Sequence, residues 1–287
     1  MGKGKQILLL VFLIFLLIVI DYSFIDTFLI GFFDESETGI VKRVIDGDTF
    51  VIGNESIRLL GINTPERGEY LYQEAKEFLN NSVLNKSVKL EFGKEKYDRY
   101  QRKLAYIFLD TENINLQLVK NGFANFYFPS GKDTYYKEFF DAWIECINKN
   151  INLCEKSKDK CADCIKLKEL NVKEQKVILE NKCDFDCSLK NWSLKDEGRK
   201  KFIFDDAKNL QANFGAIESK TAPTRRNGND SVGFILNSGK EINIIVSNKT
   251  NNVDNIYWKD YDYIWTSTGD SLFLRDEEGK LVLWRTF

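Results

Sequence analysis

The sequence contains no histidine in 287 residues. That absence excludes in one step a Ser-His-Asp triad, a Cys-His dyad, histidine-ligated metal nucleases and HExxH zinc hydrolases. Catalysis in this chain has to run on carboxylates, arginine, lysine, tyrosine, cysteine or a metal held by oxygen ligands. An excess of one charge is also lacking, since 41 Lys and Arg face 43 Asp and Glu. This excludes a broad basic footprint for long nucleic acid and leaves room only for a local basic cleft. Proline is scarce, with three residues in all. The apolar share of 43% and charged share of 29% are those of an ordinary globular chain. The length sets a prior of roughly two domains.

At the amino terminus, Lys3 and Lys5 precede an unbroken apolar run from Ile7 to Ile20, and Asp21 and Asp26 interrupt a second apolar piece that continues to Phe33. A buried globular helix normally keeps a polar face, and this run has none. It is short for a full span of ~20 residues, although Asp21 and Tyr22 suit the far interface. The run has the length of a signal-peptide core, but no A-x-A-like cleavage site comes after it. The favoured reading is therefore an uncleaved signal-anchor with tether over residues 1–36, and a cleaved signal with a secreted body is the alternative. Positive charge before the run and acids after it place the amino end inside and the body outside the cytoplasm.

The chain is organised around Val44 to Glu66, where strand-like runs carry Asp46 and Asp48 two residues apart. Residues i and i+2 share one face of a strand, so the two acids can lie on the same side, and Asp46-Gly47 also carries the chemistry of a turn. A hairpin turn at Gly53-Asn54 comes next, then Arg58 inside a second run, then the polar corner Asn63-Thr64-Pro65-Glu66. Thr64-Pro65-Glu66 also reads as a helix start, with Thr64 as the cap. A carboxylate cluster beside an arginine suits a divalent cation held against a phosphate. Further strands (SVKLEF, LAYIFL) and helices (residues 72–84, NINLQLVKNGFANF up to Gly122, and residues 134–148) complete the pattern. Five short strands with helices inserted and appended predict an OB-type β-barrel over residues 37–154.

IDGDT, RLLGINTPE, DRYQRKLAYI and LVKNGFA, in that order, resemble the successive blocks of the staphylococcal nuclease family over about residues 39–154. The resemblance implies an OB-type barrel and calcium-dependent hydrolysis of phosphodiester bonds in DNA and RNA. It implies that Asp48 is the main calcium carboxylate, that Asn63 stands where a second aspartate ligand is usual, and that Thr64 supplies a carbonyl ligand. Glu66 is similar to the proposed general base, Arg58 and Arg102 to the guanidiniums that grip the scissile phosphate, and Asp46 to a supporting acid behind the metal. Tyr127 is a candidate for contacting the nucleotide. The chemistry is self-consistent: a hard cation takes oxygen ligands, arginine forks match phosphate oxygens, and a carboxylate can accept a proton from water. Two positions depart from the family pattern. Asn63 carries one charge fewer, which weakens calcium binding, and Gln101 replaces the glycine usual before the second arginine. A non-catalytic nucleic-acid-binding OB module is the alternative function, but such a barrel is expected to have lost the arginines or the glutamate.

All six cysteines (Cys146, Cys154, Cys161, Cys164, Cys183 and Cys187) fall within one short stretch. Cys161-x2-Cys164 and Cys183-x3-Cys187 approach a four-cysteine zinc template, whereas an exported body favours disulfides. Disulfides are the first reading, with Cys146 and Cys154 a candidate pair and the pairing not fixed by sequence, and structural zinc is the second. Residues 155–164 form a charged, cysteine-containing linker. From residue 165 to 287, short strands separated by Glu197-Gly198, Asn227-Gly228, Ser238-Gly239 and Glu278-Gly279 predict an all-β sandwich. LKNWSLKDEG, KFIFDD and IWTSTGDSLFLRDEEGKLV resemble a lamin-tail domain, an immunoglobulin-like sandwich with Trp192, Phe204, Trp265 and Leu272 in its core. That resemblance brings no enzymatic residues, and the partner of this part is unknown.

Overall fold

The computed structural model describes residues 4–5, 7–13, 15, 36–129, 131–204, 234–252, 254–267 and 269–287. The expected signal-anchor falls for the most part outside these residues. Residues 7–13 are helical, and among the described residues no helix is long and apolar enough to cross a membrane. The expected turn at Asn227-Gly228 lies outside the described residues.

The first sheet is built from β1 (Ser36–Asp46), β2 (Thr49–Ile52), β3 (Glu55–Leu59), β5 (Ser87–Tyr97), β6 (Lys103–Leu109) and β7 (Glu112–Asn113) in the order β3-β2-β1-β5-β6-β7. β3 also pairs with β6 in parallel, Arg58 beside Leu104, which closes a five-stranded barrel of OB type. A short ribbon of β4 (Ile62–Asn63) with β8 (Asn125–Phe126) flanks it. Val41 and Val44 both point into the core of β1 although they are three residues apart. Irregularities in the β1–β2 register at Val41/Arg43 and Val44/Asp46 account for this, because a bulge restores the inward face. Gly53 takes the left-handed conformation (φ 59°) that the β2–β3 hairpin requires.

The helices track their apolar stripes. α1 (Tyr72–Val83) buries Ala75, Leu79 and Val83 at a spacing of four. α2 (Ile114–Lys120) is capped by the Asn113 side chain and ends before Gly122 at φ 69°. α3 (Tyr136–Lys149) buries Phe139, Ala142, Trp143 and Cys146 along one face. The expected helix start at Thr64 is not formed. Residues 64–66 are irregular and the helix begins at Tyr72, because the Thr64 hydroxyl is used by Asp48 instead.

The carboxyl-terminal part contains two four-stranded sheets. One has the order β16 (Asn255–Trp258), β15 (Glu241–Val246), β10 (Lys176–Asn181), β9 (Ile165–Asn171). The other has the order β13 (Lys201–Ile203), β12 (Ser193–Lys195), β17 (Ser271–Arg275), β18 (Leu281–Thr286). β11 (Cys187–Ser188) pairs with β14 (Ile235–Leu236). The two large sheets share one apolar cluster that includes Trp192, Phe204, Trp265 and Leu272.

β17 joins both halves of the molecule. Leu272 and Leu274 point into the carboxyl-terminal cluster, while Phe273 between them points into the barrel's. There Phe273 meets the Trp143 ring edge-on at 5.5 Å, with Trp284 of β18 beside it. Buried Arg275 donates to the Leu153 carbonyl at 2.6 Å, and Leu281 pairs with the backbone of Glu155 and Ser157. The hairpin between β12 and β13 lies against the barrel at Asn63, Glu66 and Phe128.

Candidate active site

Asp46 ends β1 and Asp48 sits in the turn to β2, so the turn expected at Asp46-Gly47 is formed and brings the two acids together. The Asp48 N–H donates to Asp46 Oδ1 at 3.2 Å. Asp48 is only 3% exposed. Its Oδ2 accepts from the Thr64 N–H (3.2 Å) and hydroxyl (3.1 Å) and pairs with Arg58 Nη2 at 3.0 Å. Its Oδ1 accepts from the Thr49 hydroxyl at 3.0 Å. Burial alone would raise the Asp48 carboxyl, but Arg58, the Thr64 N–H and the Thr49 hydroxyl outweigh it and hold the group below the usual carboxylate range. Burial, and next the charge of Asp48, push Asp46 up to about 6.

Arg58 is aimed by its own backbone neighbourhood. Its guanidinium donates to the carbonyls of Leu59 and Ile62 and, at 3.4 Å, to Asn63 Oδ1. The β3–β4 corner therefore brings Arg58 and Thr64 onto Asp48 and sets Asn63 beside Arg58. Glu66 lies two residues beyond Thr64 with its side chain about half exposed. Its backbone N–H donates to Glu69 Oε2 at 3.0 Å.

Arg102 is not held against Asp48. It occupies the β5–β6 connection, where Asp98 takes its Nε and Nη2 at 2.7 Å each and Tyr100 lies under its guanidinium. Gln101 beside it has φ 62°, the left-handed region where glycine is at ease. Tyr127, half-buried, gives its N–H to the Gly61 carbonyl. Its ring lies under the β12–β13 hairpin, so close that a Cβ on Gly198 would stand 3.3 Å from it.

Several contacts at this site come from residues that sequence reasoning passed over. Asn63 Nδ2 donates to the Gly198 carbonyl at 2.8 Å. Arg199 Nε pairs with Glu66 Oε1 at 2.7 Å, and Glu197 Oε1 accepts from the Phe128 N–H at 3.1 Å. Lys195 and Lys201 flank Glu69 at 3.6 and 3.1 Å. The only signal in the sequence was the turn at Glu197-Gly198, which says nothing about what the turn touches. Burial, and after it the charge of Asp270, pushes Asp196 up to about 7 and Glu197 up to about 8.

The six cysteines form three pairs, Cys146–Cys154, Cys161–Cys187 and Cys164–Cys183. The candidate pair Cys146 with Cys154 is present, and the other two staple the linker to β11 and to the loop before it. The sulfur atoms of Cys161, Cys183 and Cys187 lie within 4.8 Å of one another.

Residues 56–156 match the family described as Staphylococcal nuclease homologue. The chain is 35% identical over 130 residues to the thermonuclease of Staphylococcus intermedius, covering 42% of this chain and 77% of that protein. The thermonuclease of Staphylococcus hyicus is also 35% identical, over 127 residues (40% and 75%). An uncharacterized endonuclease of Haemophilus influenzae is 38% identical over 107 residues (36% and 59%). The chain belongs to the staphylococcal nuclease family. Membership makes it a nuclease, a hydrolase of phosphodiester bonds. The matched region contains Arg58, Asn63, Thr64, Glu66, Arg102 and Tyr127, and ends before the β12–β13 hairpin that rests on them.

Proposed function

We propose that the protein is a calcium-dependent nuclease that acts on DNA and RNA, with its body outside the cytoplasm. The observation that carries this reading is the buried cluster in which Asp48, Arg58, Asn63 and Thr64 converge, with Glu66 at its edge. Its donors are carboxylate, amide, hydroxyl and carbonyl oxygens, the set that fits a hard cation. Asp48, Asn63 and Thr64 would hold calcium, with Asp46 behind. Bound there, the ion supplies charge neutralisation and polarisation of the phosphate.

The remaining chemistry belongs to the chain. Glu66 takes a proton from the attacking water, for which its half-exposed carboxylate is suited. Arg58 is oriented by the Leu59 and Ile62 carbonyls to face the phosphate from the barrel mouth. Arg102 reaches the phosphate from the β5–β6 connection by exchanging Asp98 for substrate, and charge-assisted pairs of this kind strengthen as the transition state gains charge. The pairing of all six cysteines and the lysines before the apolar run support an anchored, extracytoplasmic body. We assign residues 37–154 to the nuclease domain and 165–287 to a lamin-tail-like sandwich, for which the two sheets around one core give support.

Release of acid-soluble nucleotides from denatured DNA by the full chain, with calcium and with chelator, tests this reading. Calcium-dependent release is expected, and Glu66→Gln and Arg102→Ala should each reduce it by orders of magnitude. No release at millimolar calcium would leave the non-catalytic binding module. Near-normal rates in both variants would reject the residue assignment.

A further inference from the structure

The hairpin joining β12 to β13, residues 196–200, touches the candidate site at three places. The Gly198 carbonyl accepts from Asn63, the Arg199 guanidinium pairs with Glu66, and Lys195 and Lys201 at the hairpin's two ends bracket Glu69. Glu69 in turn accepts the backbone N–H of Glu66. Glu66 is therefore held twice from the carboxyl-terminal half, through its side chain by Arg199 and through its backbone by way of Glu69.

The contact at Asn63 also bears on that residue's identity. A carbonyl oxygen only accepts and a guanidinium only donates. Wedged between the Gly198 carbonyl and Arg58, residue 63 needs a donor on one side and an acceptor on the other. Asparagine supplies both, with Oδ1 turned toward Arg58. An aspartate would set a carboxylate oxygen against the carbonyl in a site where Asn63 is 1% exposed, leaving two buried acceptors opposed. The departure from the family's usual aspartate thus has a physical reason in the docked second half.

We propose that the β12–β13 hairpin is a positioning element of the nuclease centre. Arg199 orients the Glu66 carboxylate, the Gly198 carbonyl orients the Asn63 amide, and turnover depends on both contacts. This rests on the catalytic role proposed for Glu66. Arg199 acts through Glu66 and is a positioning residue. Its side chain is about half exposed, so its removal leaves no buried void.

The test is a double-mutant cycle in the full chain on denatured DNA at saturating calcium, because residues that act through one another are non-additive. Arg199→Ala is expected to lower kcat about ten-fold or more with KM nearly unchanged, since a misplaced reacting group slows the step without weakening binding. Arg199→Lys should recover part of the loss. In a Glu66→Gln background, Arg199→Ala should have no further effect. A rise in kcat on Arg199→Ala would make the ion pair inhibitory and overturn the proposal, as would an additive loss in the Glu66→Gln background, which would mean that Arg199 contacts substrate. For Asn63, Asn63→Asp should melt at a lower temperature than wild type in chelator, and an unchanged melting temperature would show that the Gly198 contact does not constrain it. An inactive wild type would sink the nuclease reading together with the hairpin's role. An active wild type indifferent to Arg199→Ala would sink the hairpin's role alone.

Discussion

Arg58 and Asp48 form a buried ion pair, Nη2 to Oδ2 at 3.0 Å, with side chains 8% and 4% exposed. Water screens such a pair poorly, and each charge relies on the other and on the surrounding carbonyls and N–H groups. Arg58→Ala leaves an uncompensated carboxylate in the barrel and should destabilise the protein by about 3–5 kcal/mol. Urea unfolding at pH 7 checks this. A loss below about 1 kcal/mol would mean that the pair carries no more than an exposed one does.

Gln101 occupies a left-handed backbone position at φ 62° next to Arg102. A side chain there is disfavoured by about 1 kcal/mol, which glycine avoids at the expense of a more flexible unfolded chain. Gln101→Gly should raise stability by roughly 0.5 kcal/mol and Gln101→Ala should not. Equal effects from the two substitutions, read from denaturant midpoints, would show that the loop is relaxed around glutamine.

Pairing of all six cysteines predicts no reactive thiol in denatured, unreduced protein and no bound zinc. The Cys146–Cys154 bridge closes a loop with a sequence separation of 8. Loop-closure entropy for that span corresponds to about 2.5 kcal/mol, the loss expected for the Cys146→Ser/Cys154→Ser double variant. One zinc per chain with four titratable thiols would instead establish the second reading of Cys161, Cys164, Cys183 and Cys187.

Asp196 and Glu197 give a pH dependence of definite sign. Both are raised in the folded chain, to about 7 and about 8, by burial and by Asp270, against the opposing pull of Lys195 and Lys200 on Asp196 and of the Phe128 N–H on Glu197. The folded state therefore holds protons that the unfolded state has released above the ordinary carboxylate range. Stability contributed by these groups falls as pH rises from about 4.5 to about 8. The melting temperature should decline from pH 5.5 to pH 8.5, and Asp196→Asn should flatten the decline. An Asp196→Asn variant with the wild-type slope would remove Asp196 as the cause.

The barrel and the clustering of its candidate residues were legible in the sequence, because Asp48 and Arg58 lie in two adjoining hairpins and Asn63 and Thr64 in the corner that follows directly. Strand period, turn residues and local order suffice to bring such neighbours together. The turn that holds Asp48 was open to either reading, since two acids around a glycine fit a strand face and a turn alike, and the structure takes the turn. The pairing of Arg102 with Asp98 could have been suspected from their spacing of four, but the left-handed Gln101 that shapes the loop leaves no periodic trace. Gly198 and Arg199 were beyond reach. Their partners Asn63 and Glu66 lie more than a hundred residues earlier, and docking between two separately patterned halves has no signature in either.

Trp143 of the barrel packs against Phe273 and Trp284, which lie far later in the chain. During synthesis the barrel emerges well before those rings, with an apolar face still uncovered. Until β17 arrives, the β12–β13 hairpin lacks the strand that β12 pairs with. A chain interrupted between the halves would lack both this cover and the Arg199 partner of Glu66. The order in which the ribosome delivers the strands therefore decides when the barrel's apolar face is covered.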